Sequence, residues 1–122
     1  MTRSEAREIA FKTIYSKFFI HDEEEVEVEN QEDLKFTAEI LKNFAAHYEE
    51  VNSIISGALK GYTIERVYKI DLAILTLAVI ELKFIKDTPK EVIINEAVEL
   101  AKKYSTEKSP KFVNGVLADI VK

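Results

Sequence analysis

The chain has no cysteine, which excludes disulfides, zinc–thiolate sites and thiol nucleophiles. It has only three glycines and two prolines in 122 residues, too few for a collagen-like, low-complexity or turn-dense all-β protein. It also lacks any stretch of about eighteen uncharged apolar residues, so nothing in it reads as a membrane span. The longest apolar run, Leu72 to Ile80, is interrupted by Thr76 and ended by Glu81. The opening Met1-Thr2-Arg3-Ser4-Glu5 carries acid and base where a secretory signal would be apolar. A cytoplasmic protein is the simplest expectation. What is present, 47% hydrophobic and 32% charged residues, is the balance of a globular chain, with length for one domain over residues 1–122.

A net charge of −5 argues at first against nucleic acid as a partner. The average conceals a segregation of charge. Asp22, Glu23, Glu24, Glu25, Glu27, Glu29, Glu32 and Asp33 put all their negative charge into one short segment without a basic residue, which reads as a solvated loop. The first 21 residues carry Arg3, Arg7, Lys12 and Lys17 against Glu5 and Glu8. The tail carries Lys102, Lys103, Lys108, Lys111 and Lys122 against Glu107 and Asp119. Both ends are mildly basic, so RNA is a feasible partner through a local patch.

Apolar spacing of three and four predicts an all-α fold of six or seven helices, divided near residues 61–70 into two small bundles that share a core. Thr2 and Glu5 form a capping-box pair that opens a first helix, with Ala6, Ile9, Ala10, Ile14 and Phe18 on one stripe, running to about Phe19 or Ile20. A second helix is predicted from near Asp33 to about Glu49, with Leu34, Ala38, Leu41, Phe44 and Ala45 inward. A third, with Val51, Ile54, Ile55, Ala58 and Leu59, ends at Gly61. Thr63 caps a short turn through Tyr68. From Asp71 to Ile85 the chain is apolar in every direction around a helix, which marks the central element. Thr88-Pro89-Lys90-Glu91 and Ser109-Pro110 each combine a cap with an early proline and open the last two helices.

Catalytic chemistry is hard to assemble from these residues. The two histidines, His21 and His47, lack ligand-spaced neighbours, and neither Gly57 nor Gly61 belongs to a phosphate-binding loop. Glu96 and Glu99 lack the histidine of a di-iron helix and read as surface partners of Lys102 and Lys103. No enzyme activity, metal or cofactor is expected.

Two segments ask for more. On the first helix, Arg3 and Arg7 lie about 40° apart and Tyr15 about 80° from Arg7. Either the arginine stems cover the core edge with their heads in water, or two guanidiniums and a ring form a platform for phosphates and a stacked base. In the second, Lys111-Phe112-Val113-Asn114-Gly115-Val116-Leu117, a glycine costs a helix about 1 kcal/mol relative to alanine. A close helix crossing at Gly115, with Asn114 bonding to a neighbouring loop, would explain it.

With Ala6-Arg7-Glu8 and Ile14-Tyr15-Ser16, Ile70 through Leu75 running to Glu81-Leu82, and Val92 through Ala101, this last segment resembles the NusB family of transcription antitermination factors in order and spacing, over essentially the whole chain. The resemblance implies an all-helical, non-enzymatic RNA-binding protein. It would pair with the ribosomal protein NusE, grip the single-stranded boxA element of ribosomal RNA leader transcripts and join an antitermination complex on RNA polymerase. Carried over by position, it implies RNA contacts at Arg3, Arg7, Lys12 and Tyr15, with Arg7→Ala weakening RNA binding while helicity survives. It implies partner-protein contacts at Glu81, Lys108 and Phe112. Relatives include monomers and homodimers, so a homodimer is compatible too.

The chain departs from the family where relatives carry more N-terminal arginines, often Arg in place of Leu72 and Thr76, an acid in place of Lys108 and Asp in place of Ala118. Fewer cations neutralise fewer phosphates, so RNA binding alone should be weak with a shallow salt dependence. A basic partner would then supply much of the positive surface and associate through complementary fields. Two other readings are a helical protein-interaction module and the accessory domain of a ribosomal-RNA methyltransferase. The second would need a Rossmann domain or glycine-rich nucleotide motif downstream, and none occurs up to Lys122.

Overall fold

A computed structural model describes residues 2–19 and 34–122. Ile20, His21, the acidic segment and the start of the second helix near Asp33 lie outside the described residues. Six α-helices occur among those described: α1 (Arg3–Lys17), α2 (Lys35–Ala46), α3 (Tyr48–Ala58), α4 (Lys69–Ile80), α5 (Lys90–Tyr104) and α6 (Ser109–Ile120). A 3₁₀ turn at Ile64–Arg66 precedes α4, and a π-helical turn at Glu81–Ile85 extends it. The π turn closes with Lys86, whose φ of 59° is the left-handed stop that ends the element.

Helix α4 is the axis. Every residue from Asp71 to Ile80 is buried, and α1, α2, α3, α5 and α6 all pack on it. This is the consequence expected of a helix apolar on all sides. The core is one continuous hydrophobic cluster drawing on every helix, from Ala6 and Ile14 through Ile40, Ile55, Ile74 and Leu75 to Ile93, Val113 and Leu117.

Several predicted faces are rotated. In α1 the buried residues are Ala6, Arg7, Ala10, Phe11 and Ile14, while Ile9 is exposed. Phe11 turns inward because its ring meets Tyr104, with centroids 5.4 Å apart. In α2 the inward face is Phe36, Thr37, Ile40 and Phe44, and Ala38 and Ala45 face out. Burying a phenylalanine and an isoleucine removes far more apolar area from water than burying two alanines, so the larger stripe wins. Thr37 can accompany it because its hydroxyl donates to the Ala6 carbonyl at 3.1 Å, satisfying its one donor locally.

Caps follow the same division. Thr2 caps α1 as expected, its hydroxyl accepting from the Glu5 N–H at 3.1 Å. Helix α3 stops at Ala58, and Gly61 follows with φ +87°, the left-handed geometry for which a glycine is needed. Helix α5 begins one residue later than the Thr88 reading, with Pro89 in the N-cap position and no side-chain cap. The Thr88 hydroxyl is instead taken by Arg3.

Gly115 overturns the close-crossing expectation. It is exposed, and a methyl group placed there would meet nothing within 4 Å. Asn114 is exposed as well. No packing constraint offsets the glycine's backbone entropy, so Gly115→Ala should stabilise the fold by about 1 kcal/mol. A chemical-denaturation midpoint that does not rise would show that position 115 carries a constraint outside the helix.

Candidate nucleic-acid and partner interface

Arg7 and Glu81 are drawn together inside the fold. Arg7 Nε donates to Glu81 Oε2 at 2.8 Å and Arg7 Nη2 to Oε1 at 2.9 Å, a two-pronged pair whose side chains are only 4% and 1% exposed. A further contact of 3.9 Å runs from Arg7 Nη1 to Glu96, which in turn accepts from the Ser4 hydroxyl at 2.8 Å. The sequence expectation is corrected on both sides: Arg7 has no free guanidinium for a phosphate, and Glu81 has no exposed carboxylate for a partner protein. The ion pair is why a charged residue occupies the buried stripe of α1 and another the π turn after α4. A buried charge is tolerated only with an opposite charge and filled hydrogen bonds. Among the described residues no buried side-chain nitrogen or oxygen lacks a partner.

Arg3 lies at the surface. Its guanidinium forms a bidentate pair with Asp87, both bonds 3.0 Å, and donates to the Thr88 hydroxyl at 3.1 Å. It also lies 4.6 Å from the Phe36 ring centre. The Arg3 hydrogen bond is the main reason the Asp87 carboxyl sits below its ordinary pKa, with Thr88 assisting. A carboxyl with a depressed folded pKa contributes stability above the unfolded carboxylate pKa, and that contribution fades as pH falls through the folded value. The pair is about half exposed, so the energy is small. The readable prediction is the titration itself: an NMR midpoint for Asp87 below the usual aspartate range, moving upward in Arg3→Ala. An unchanged midpoint would show the bidentate pair absent in solution.

Lys12 and Tyr15 form a separate group. Nine residues along α1 place Lys12 about half a helical turn around the axis from Arg3 and roughly 13 Å along it. Tyr15 is partly exposed and packs edge-on against Phe19, with centroids 5.0 Å apart. Phe11 bridges it to Tyr104 of α5. Around Tyr104 lie Lys12, Lys103 and Glu8. Sequence reading missed this grouping because it assigned Tyr104 to the core and paired Lys103 within α5. Lys102 does pair with Glu99 at 3.2 Å, but Lys103 reaches across to Glu8 at 2.9 Å.

Lys108 and Phe112 stand at the other end of α4. With Tyr62, Arg66, Tyr68 and Asp71 they line an open cleft of about 600 Å³. The Tyr62 and Phe112 rings are 6.1 Å apart, and Tyr68 is 67% exposed, an uncommon amount for an aromatic ring without a partner. The cleft floor is braced by Asp71, which accepts from the Ser105 hydroxyl at 2.6 Å and the Ser109 hydroxyl at 3.0 Å. Ser109 is thereby the first residue of α6 and a buried bridge rather than its cap. Ten residues of α4 separate this cleft from Glu81, so Lys108 and Phe112 are brought together and Glu81 is not with them.

His47 stacks on Phe84 with ring centroids 4.0 Å apart. Among the described residues no group of three His, Asp or Glu side chains could hold a metal ion, and no helix is long and apolar enough to cross a membrane.

Comparison with known proteins accounts for this arrangement. Residues 4–122 match the NusB family. The transcription antitermination protein NusB of Finegoldia magna is 38% identical over 100% of this chain and 95% of its own length. That of Clostridium botulinum is 37% identical over 99% of this chain and 100% of its own length. Among solved structures, T. maritima NusB superposes with a TM-score of 0.89 at 32% identity, covering 98% of this chain and 90% of that one. Antitermination factors NusB and NusE in complex with dsRNA give 0.84 at 31% identity, covering 98% of this chain and 97% of that one. With its helices, core and sequence matched from end to end, the chain belongs to the NusB family.

Proposed function

We propose that this chain is a non-catalytic transcription antitermination factor. It pairs with NusE to bind boxA-like single-stranded RNA of ribosomal leader transcripts within the polymerase antitermination complex, in the cytoplasm. The observation that carries the reading is the match along 98% of the chain to a NusB that was solved together with NusE and RNA. The RNA-facing groups are Arg3, Lys12 and Tyr15, and the partner-facing groups are Lys108 and Phe112 beside their cleft. Arg7 and Glu81 contribute by holding α1 against α4, not by touching either ligand. An acidic protein with few free cations leans on a basic partner for phosphate neutralisation, which favours joint over independent binding.

The test is titration of boxA-like RNA at two salt concentrations, with and without NusE. Binding alone should be weak and binding with NusE tight. Arg3→Ala should weaken the joint complex, and Lys108→Glu should weaken NusE association. Absence of RNA binding in both conditions would leave a protein-interaction module as the surviving reading.

A further inference from the structure

At the rim between α1 and α5, three donors from two helices converge on one carboxylate oxygen. Glu8 Oε1 accepts from Lys103 Nζ at 2.9 Å and from the Tyr104 hydroxyl, and Lys12 Nζ lies 3.8 Å away. Both ammonium groups also sit 5.3 Å from the centre of the Tyr104 ring. Fold stability gives little reason for the arrangement. The lysine side chains are 60% and 61% exposed, and exposed ion pairs contribute only about 0–1 kcal/mol while two long side chains are ordered to make them. What the three groups do define is a position for an oxyanion, reachable from solvent and beside an aromatic ring.

We propose that Lys12, Lys103 and Tyr104 form a phosphodiester subsite for single-stranded RNA, in which an RNA phosphate takes the place of the Glu8 carboxylate. The inference rests on the RNA-binding reading above and extends that site from α1 onto the last turn of α5. A phosphodiester presents two charged oxygens to the donors that now share one. Glu8 is 24% exposed, so its carboxylate can swing into water when a phosphate arrives. Tyr15 lies one turn beyond Lys12 on α1, and Phe11 braces both tyrosine rings. A base stacked on Tyr15 thus lies next to a phosphate held by Lys12, and only an unpaired base is free to stack there. Glu8 has two effects. It holds the donors in place before RNA binds, and it competes with the phosphate for them.

The experiment measures RNA affinity against salt concentration with the ribosomal partner present, for the unsubstituted protein, Glu8→Gln, Lys103→Met and Tyr104→Phe. Glu8→Gln should bind several-fold more tightly, because the competing charge is gone. Lys103→Met should bind more weakly, with a slope of log affinity against log salt shallower by about 0.7, the signature of one lost phosphate contact. Tyr104→Phe should lose affinity with the slope kept. If the unsubstituted protein binds RNA while Glu8→Gln and Lys103→Met match it in affinity and slope, the subsite is overturned and the RNA-binding reading stands. If the unsubstituted protein binds no RNA even with the partner, both fall together.

Discussion

Arg7→Ala should cost about 3–5 kcal/mol of folding stability, the loss expected when one member of a buried ion pair is removed and the other is left charged without a partner. Glu81→Ala should cost a similar amount, because the guanidinium of Arg7 would then be stranded beneath α1 with only the 3.9 Å contact to Glu96. The two losses should not add. Arg7→Met combined with Glu81→Leu removes both charges and keeps the volume, and should fall well short of the summed single effects, since replacing a whole buried pair by apolar groups is often close to neutral. Denaturant midpoints at constant m give the cycle directly. The position of the pair makes it informative about function as well. It fastens the RNA-facing helix to the π turn, so weaker RNA binding by Arg7→Ala should follow the loss of structure. A variant that folds with full stability yet binds RNA poorly would mean that the pair opens and Arg7 meets the RNA itself.

At the opposite end of α4, Asp71→Ala should cost about 2–3 kcal/mol. Asp71 is 4% exposed and accepts two hydroxyl hydrogen bonds, and bonds to a charged acceptor are worth about 1.5–3 kcal/mol each before compensation. Part of the loss is recovered because Ser105, Thr106 and Ser109 can still bond to one another, at 2.8 Å in both pairs through Ser109. The carboxylate also sits in the first turn of α4, where negative charge opposes the helix dipole favourably. Asp71→Asn, which keeps an acceptor but loses the charge, should cost less than Asp71→Ala. Because this network fixes the α5–α6 corner that carries Lys108 and Phe112, NusE association should weaken in the same order as stability. Unaltered thermal unfolding in Asp71→Ala would show that the serine hydroxyls alone hold the corner.

Local sequence determined a good deal here. The Thr2 cap, the left-handed Gly61, the all-round apolar α4 and the existence of every described α-helix follow from short-range patterns whose physics is complete within a few residues. The family follows from the same linear record, since order and spacing survive in the sequence. Only tertiary structure decided which charges are free. Arg3 and Arg7 are one turn apart and chemically identical, yet one meets Asp87 at the surface and the other Glu81 in the interior, 74 residues away in sequence. Ile9 against Phe11, and Ala38 against Phe36, were likewise settled by which neighbour each face met. The grouping of Lys12, Lys103, Tyr104 and Glu8 joins residues from two helices that share no linear pattern. Helical periodicity reports the direction a side chain takes from its own axis, whereas burial and pairing depend on what another helix presents there, and that information is not local.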